Sequence, residues 1–201
     1  MNAPLSPTAA PAGSAPAAAR ARSLADVPAL AAQAIALLRS PHALFAFTPD
    51  EARAVVSYMH VATFPRGATL LRENDGRDTA EVLLLLEGEV AVEAGVDSAA
   101  GAVPIASLGP GSLLGEVALL DGRPRSAQCT ALSPVRAAAL SRKALETMLE
   151  AHPRVAAKLM IELSHRIAER LRAMGLQLQV YAQLTASLQT EVDRLRQPLR
   201  R

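Results

Sequence analysis

Aromatic side chains are scarce in this chain of 201 residues, which has three Phe, two Tyr and no Trp. Its core must therefore be aliphatic, built from Leu and Val with much alanine, which makes up about a fifth of the residues. A single cysteine, Cys129, excludes an internal disulfide and a Cys-rich zinc site and fits a reducing compartment. The charge lacks a dominant sign, with 21 Lys plus Arg against 19 Asp plus Glu and a net charge of +2. Whole-chain charge therefore gives no sign of a dedicated nucleic-acid surface or a polybasic membrane binder. No run approaches the roughly 18 to 20 apolar residues that cross a bilayer. The densest runs are only residues 29–38 and 82–86. No Lys or Arg precedes Arg20, so the cationic start of a secretory signal is missing as well. The expectation is a cytoplasmic protein without a membrane span.

The pattern along the chain falls into four parts. Residues 1–22 hold four of the 14 prolines and almost nothing large enough to bury, so they are expected to form a disordered leader. A domain is expected over residues 23–153, opening with helices. In residues 23–39, Leu24, Val27, Leu30, Ala34, Leu37 and Leu38 recur at helical spacing. A second helix starts at Thr48-Pro49-Asp50-Glu51, where Thr can cap, Pro suits the first turn and Glu completes a capping box; it should run to about Met59. Nine of the 11 glycines then fall within residues 67–122, between short apolar runs at 68–71, 82–86, 90–93 and 103–108. Two more runs, 127–132 and 135–140, are separated by Ser133-Pro134. Short strands divided by glycine turns indicate a mainly β jelly-roll barrel with α flanks, not alternating βαβ units.

Past the barrel, residues 142–150 read as a helix, and residues 154–196 as a second, uninterrupted one. At 1.5 Å per residue the latter is about 64 Å long, more than a barrel of this size can cover. Leu171, Met174, Leu178, Tyr181, Thr185, Leu188, Val192 and Leu195 alternate steps of three and four, a heptad seam that buries itself against a partner helix. A homodimer through this coiled coil over residues 154–197 is expected, with residues 198–201 as a tail.

The segment richest in chemistry is Gly109-Pro110-Gly111-Ser112-Leu113-Leu114-Gly115-Glu116-Val117-Ala118-Leu119-Leu120, followed by Asp121-Gly122-Arg123-Pro124-Arg125-Ser126-Ala127. A glycine turn leading into a short helix offers outward N–H groups to an anion. Arg125 adds a planar fork that matches two phosphate oxygens, and Ser126 a hydroxyl beside it. Glu116 only accepts hydrogen bonds, which suits a ribose hydroxyl and not a phosphate. The four histidines, His42, His60, His152 and His165, stand in no H-x-H or H-x-x-x-H arrangement, so no metal is expected. No glycine-rich kinase loop, Walker motif or catalytic triad frame is present, so no enzymatic activity is expected.

This segment resembles the phosphate-binding cassette of cyclic-nucleotide-binding domains, in which Phe-Gly-Glu, an apolar residue, Ala-Leu and Arg-Ser/Thr-Ala recur at this spacing. Pro65-Arg66-Gly67, Glu87-Gly88-Glu89-Val90, Gly109-Pro110-Gly111 and His152-Pro153 also fall where that family places its turns. The resemblance covers roughly residues 41–174 and is to sensor domains of the catabolite-activator (Crp/Fnr) type. It implies a jelly roll holding a cyclic nucleotide: the Gly115, Val117 and Ala118 turn and Arg125 on the cyclic phosphate, Glu116 on the ribose 2′-hydroxyl, and Ser126 on phosphate or base. Two positions depart from the pattern. Leu114 stands where the family has an aromatic, and Arg170 and Leu171 stand where catabolite-activator-like proteins offer small hydroxyls to adenine. Base choice stays open on that account, with cAMP first and cGMP or a cyclic dinucleotide behind it. The chain ends soon after the long helix, without the helix-turn-helix segment that such regulators carry, so direct DNA binding is not expected. The resulting expectation is a stand-alone sensor signalling to a protein effector. The alternatives are a ligand-free dimeric scaffold, in which Glu116 and Arg125 close an empty pocket on each other, and a regulator that acts through a longer relative.

Overall fold

The computed structural model describes residues 22–39, 46–75, 81–95 and 102–196. Residues 1–21 of the expected leader, His42 and the tail expected at 198–201 lie outside the described residues. Helix α1 spans Pro28–Leu38 and α2 spans Pro49–Ser57. The expected helix over 23–39 is divided. Leu24–Asp26 form a 3-10 turn, and Pro28 starts α1 at its first position, holding Val27 extended at φ −123°. The Thr48 capping box forms as the sequence indicates: Thr48 Oγ1 accepts from the Glu51 N–H, and the Thr48 N–H donates to Glu51 Oε2.

Among the described residues eight strands follow: β1 (His60–Phe64), β2 (Thr69–Leu71), β3 (Glu81–Glu87), β4 (Val90–Ala94), β5 (Val103–Leu108), β6 (Leu113–Leu114), β7 (Gln128–Ala131) and β8 (Val135–Ser141). They pair antiparallel in two four-stranded sheets, ordered β1-β8-β3-β6 and β2-β7-β4-β5, the two-layer arrangement of a jelly roll. Two of the strands, β1 and β6, were not expected. Strand β1 follows α2 after only two residues, and its half-buried residues show no clean alternation, so the sequence pattern marked no strand there.

The run at 82–86 is buried throughout because β3 is covered on both faces. Val82, Leu84 and Leu86 pack under the helices with Ala138, Leu140 and Met148. Leu83 and Leu85 point between the sheets toward Leu71, Leu114, Cys129 and Ala137. Fully burying each leucine contributes roughly 1.5–3 kcal/mol, which lets an aliphatic core replace aromatic mass. The alanines have a role here: Ala137, Ala138 and Ala139 are fully buried in β8, where small side chains let both layers approach the strand.

Helix α3 (Glu116–Asp121) bridges β6 and the loop before β7, α4 (Arg142–Ala151) is capped by Ser141 Oγ, and α5 (Pro153–Arg196) runs for 44 residues. Only its first turns are packed, through Ala156, Leu159 and Leu163. Lys158 reinforces that docking, donating to Glu51 Oε2 at 2.7 Å and to the Ala46 carbonyl at 3.2 Å. Burial and Lys158 act oppositely on Glu51, and Lys158 wins, holding its carboxyl below the ordinary value. From Glu169 to Leu195 every residue of α5 is exposed, the seam residues included. Among the described residues, no helix is long and apolar enough to cross a membrane.

Candidate functional site

Gly115 links β6 to α3 at φ +80°, a left-handed conformation that L side chains rarely adopt. A Cβ there would also collide with Arg125 Nη1 and the Glu81 carbonyl and press on Leu71 Cδ1. The glycine is therefore required twice, by its backbone angle and by the guanidinium lying against it. Helix α3 then ends at Gly122, again left-handed. Arg142 Nη2 donates to the Ala118 and Leu119 carbonyls at the end of the helix, where Ala118 also accepts from the Gly122 N–H.

Arg125 lies on the loop three residues before β7 begins. The loop is laced to residues 72–75, because the Arg125 N–H donates to the Asp75 carbonyl and the Asn74 N–H donates to the Arg125 carbonyl. The side chain turns inward, only 6% exposed, and its Nη2 donates to the Glu81 carbonyl at 3.2 Å. Burial pushes its pKa down from the ordinary arginine value, with nearby carboxylates of Asp75, Glu81 and Glu116 working against the shift. A second anion close to this group would oppose the shift further.

Glu116, at the first position of α3, is 3% exposed. Its Oε1 accepts from Arg170 Nη1 at 2.9 Å, and Arg170 Nη2 donates to the Leu113 carbonyl at 3.2 Å. The ion pair of the ligand-free alternative, between Glu116 and Arg125, does not form; Glu116 pairs instead with an arginine of the long helix. One turn earlier, Arg166 Nε donates to Glu162 Oε1 at 2.8 Å and its Nη1 to the Gly111 carbonyl at 2.9 Å. Two arginines of α5 therefore hold the turn and strand that precede Gly115.

Arg125, Glu116 and Arg170 border a single cavity of about 280 Å³. That is near the lower edge of the roughly 300–1,000 Å³ typical of small-molecule sites. Leu114, Gly115, Val117, Ala118 and Ser126 line it too, so eight of the nine candidate residues come together. Leu171 does not; it is 69% exposed and begins the heptad seam. Leu114, in place of an aromatic, is 2% exposed and packs in the core between the sheets. The sequence reading missed Leu71, Val92 and Cys129, which form the apolar wall. Cys129 was read as a plain core residue, and it is buried; its thiol pKa is pushed up to about 11 by burial.

The cyclic nucleotide-binding domain family matches residues 61–152 of the chain. A solved cyclic nucleotide-binding domain from Methylobacillus flagellatus KT is similar at 34% identity and a TM-score of 0.65, over 71% of this chain and 79% of that one. The N-terminal domain of a transcriptional regulator from Streptomyces coelicolor A3(2) is similar at 30% identity and a TM-score of 0.57, over 67% of this chain and 94% of that one. Among curated proteins, a CRP-like cAMP-activated global transcriptional regulator of Mycobacterium tuberculosis is 26% identical over 120 residues, 59% of this chain and 52% of the relative. The chain thus spans about half the length of that relative. With a third of its aligned residues shared with a solved domain over most of both chains, and two antiparallel sheets closing on the cassette, this chain belongs to the cyclic nucleotide-binding domain family.

Proposed function

We propose that the chain is a non-catalytic, cytoplasmic sensor of a 3′,5′-cyclic nucleotide, with cAMP the leading candidate and cGMP or a cyclic dinucleotide as alternatives. The observation that carries this reading is the pair of buried opposite charges, Arg125 and Glu116, bordering one cavity. Burying a charge carries a desolvation penalty of several kcal/mol, which a stabilising element would avoid by using apolar residues. A ligand with an anionic end and a hydroxyl end offsets that cost at both places. In this reading the cyclic phosphate takes the Arg125 fork and the N–H groups of the turn at Gly115, Val117 and Ala118. Glu116 accepts from the ribose 2′-hydroxyl, and Ser126 contacts phosphate or base. The M. tuberculosis relative is described as cAMP-activated, which supports cAMP here.

The output of the proposed sensor is α5. Its proximal turns touch the cassette through Arg166 and Arg170, and its distal half carries the exposed heptad seam of a homodimer. A ligand that moves α3 shifts both contacts and changes the coiled coil that a protein effector reads. One observation favours the scaffold reading instead: Glu116 has a counter-charge within the chain, Arg170 at 2.9 Å.

A thermal-shift series with cAMP, cGMP and cyclic dinucleotides separates the two. A ligand at 100 times its Kd stabilises by about 2.7 kcal/mol, which for a chain of this size raises Tm by roughly 5–10 °C. A flat response to every nucleotide would establish the scaffold in place of the sensor.

A further inference from the structure

We propose that Arg123 captures the anionic ligand at the mouth of the cavity, so that the rate of binding depends on this residue more than the lifetime of the complex does. The inference rests on the cyclic-nucleotide reading and adds to it a cation that the buried groups of the site do not include. Among the described residues, five charged ones line the cavity: Glu116, Asp121, Arg123, Arg125 and Arg170. Glu116 and Arg170 pair at 2.9 Å, which removes both from the balance. Of the other three, Asp121 offsets one arginine, so the excess positive charge of the lining exists only while Arg123 is present. A cyclic phosphate diester carries one negative charge and matches that excess.

Arg125 is poorly placed to attract a ligand from a distance. It is 6% exposed, and the carboxylates of Asp75, Glu81 and Glu116 compensate its charge from nearby. Arg123 is exposed, and among the described residues no hydrogen bond or ion pair engages its guanidinium. Its backbone, by contrast, is tied on both sides. The Gly122 N–H donates to the Ala118 carbonyl, the Arg123 N–H donates to Asp121 Oδ1 at 2.9 Å, and the Arg125 N–H donates to the Asp75 carbonyl at 3.3 Å. Pro124 stiffens the step between them. The loop thus keeps a solvated cation at a fixed place on the rim. Such a charge acts through water over about a Debye length, roughly 8 Å at physiological salt, and so governs encounter. Without it, Asp121 is left as the uncompensated charge of the rim and repels the anion.

The test follows association and dissociation of cAMP carrying a fluorophore on its base by stopped flow, with the full chain as wild type, Arg123→Gln, Arg123→Glu and Arg123→Lys. Melting curves serve as the folding control, and calorimetry with unlabelled cAMP as the binding control. At about 25 mM salt the association rate should fall roughly three- to tenfold in Arg123→Gln and further in Arg123→Glu, and Arg123→Lys should keep the wild-type rate. At about 500 mM salt the four rates should converge to within about twofold, and the dissociation rates should stay within about threefold throughout. An association rate unchanged in Arg123→Gln at low salt would overturn the proposal. So would a loss of equal size at both salts, or one carried by faster dissociation, and either result leaves the cyclic-nucleotide reading standing. A folded wild type that gives no heat with unlabelled cAMP removes that reading and the proposal with it.

Discussion

Replacing Gly115 with alanine tests the central geometry of the cassette through stability alone. Two penalties are expected. The first is conformational: φ is +80°, and a non-glycine residue held in the left-handed region costs about 1–2 kcal/mol. The second is steric, since the new methyl meets Arg125 Nη1, the Glu81 carbonyl and Leu71 Cδ1. The carbonyl belongs to a paired strand and cannot retreat, so the buried guanidinium has to move, at a cost of about 1–3 kcal/mol for overpacking. The sum is about 2–5 kcal/mol, within the usual 5–15 kcal/mol of a folded domain. Gly67→Ala is the matched control, because Gly67 has φ +82° and open space where its Cβ would go. Urea unfolding of the two variants should separate them by the steric share alone, about 1–3 kcal/mol. Equal losses would show that Gly115 is needed only for its backbone angle and that Arg125 does not lie against it. In the same samples Gly115→Ala should weaken nucleotide binding and Gly67→Ala should leave it intact.

Three further outcomes are expected. Leu178→Glu with Leu188→Glu places charge at two exposed seam positions and should convert the proposed dimer to a monomer in light scattering; a monomeric wild type or a persistent dimer in the variant would refute the heptad assignment. Cys129, with a thiol pKa of about 11, is ionised at pH 8 to only about one part in a thousand, so alkylation in the folded protein should be far slower than in urea and should quicken as pH rises toward 11. A folded-state rate at pH 8 equal to the unfolded one would contradict that burial. Lys158 depresses the pKa of Glu51, so the pair stabilises the protein above the ordinary carboxylate pKa of about 4.3 and loses that contribution as pH falls through the lower folded value. The Tm gap between wild type and Lys158→Met should therefore be present at pH 7 and shrink toward pH 3 or below. A gap that does not change with pH would mean that the lysine acts by packing its stem alone.

The barrel was legible in the sequence because its signals are local. Glycines mark the turns, and the 82–86 run is long enough to read as a strand with both faces covered. The cassette was legible because its residues stand close together between Leu114 and Ser126, with a spacing that a loop and one short helix preserve. What failed lacked such a signal. Strand β6 is two residues long, and β1 follows α2 so closely that apolar spacing alone cannot divide them. The ion pair of Glu116 with Arg170 joins α3 to α5, and no periodicity connects those positions. Glu162 and Arg166 stand four residues apart on one helix, but no local spacing shows that Arg166 also reaches the Gly111 carbonyl. Leu171 was grouped with Arg170 through the family resemblance, yet neighbours on a helix point about 100° apart, and of the two only Arg170 lines the cavity.

Calorimetric titration of cAMP into the wild type and Arg125→Ala is the most direct measurement of the central claim, that the cavity binds a cyclic nucleotide through its buried arginine. Losing a buried, charge-assisted partner of the phosphate costs about 2–4 kcal/mol, so the wild type should saturate at one nucleotide per chain and the variant should bind roughly 30- to 1,000-fold more weakly. Arg125→Lys, which keeps the charge, should fall between them if folding is preserved in all three. Equal affinity in wild type and Arg125→Ala, or no binding heat from a folded wild type, would contradict the account.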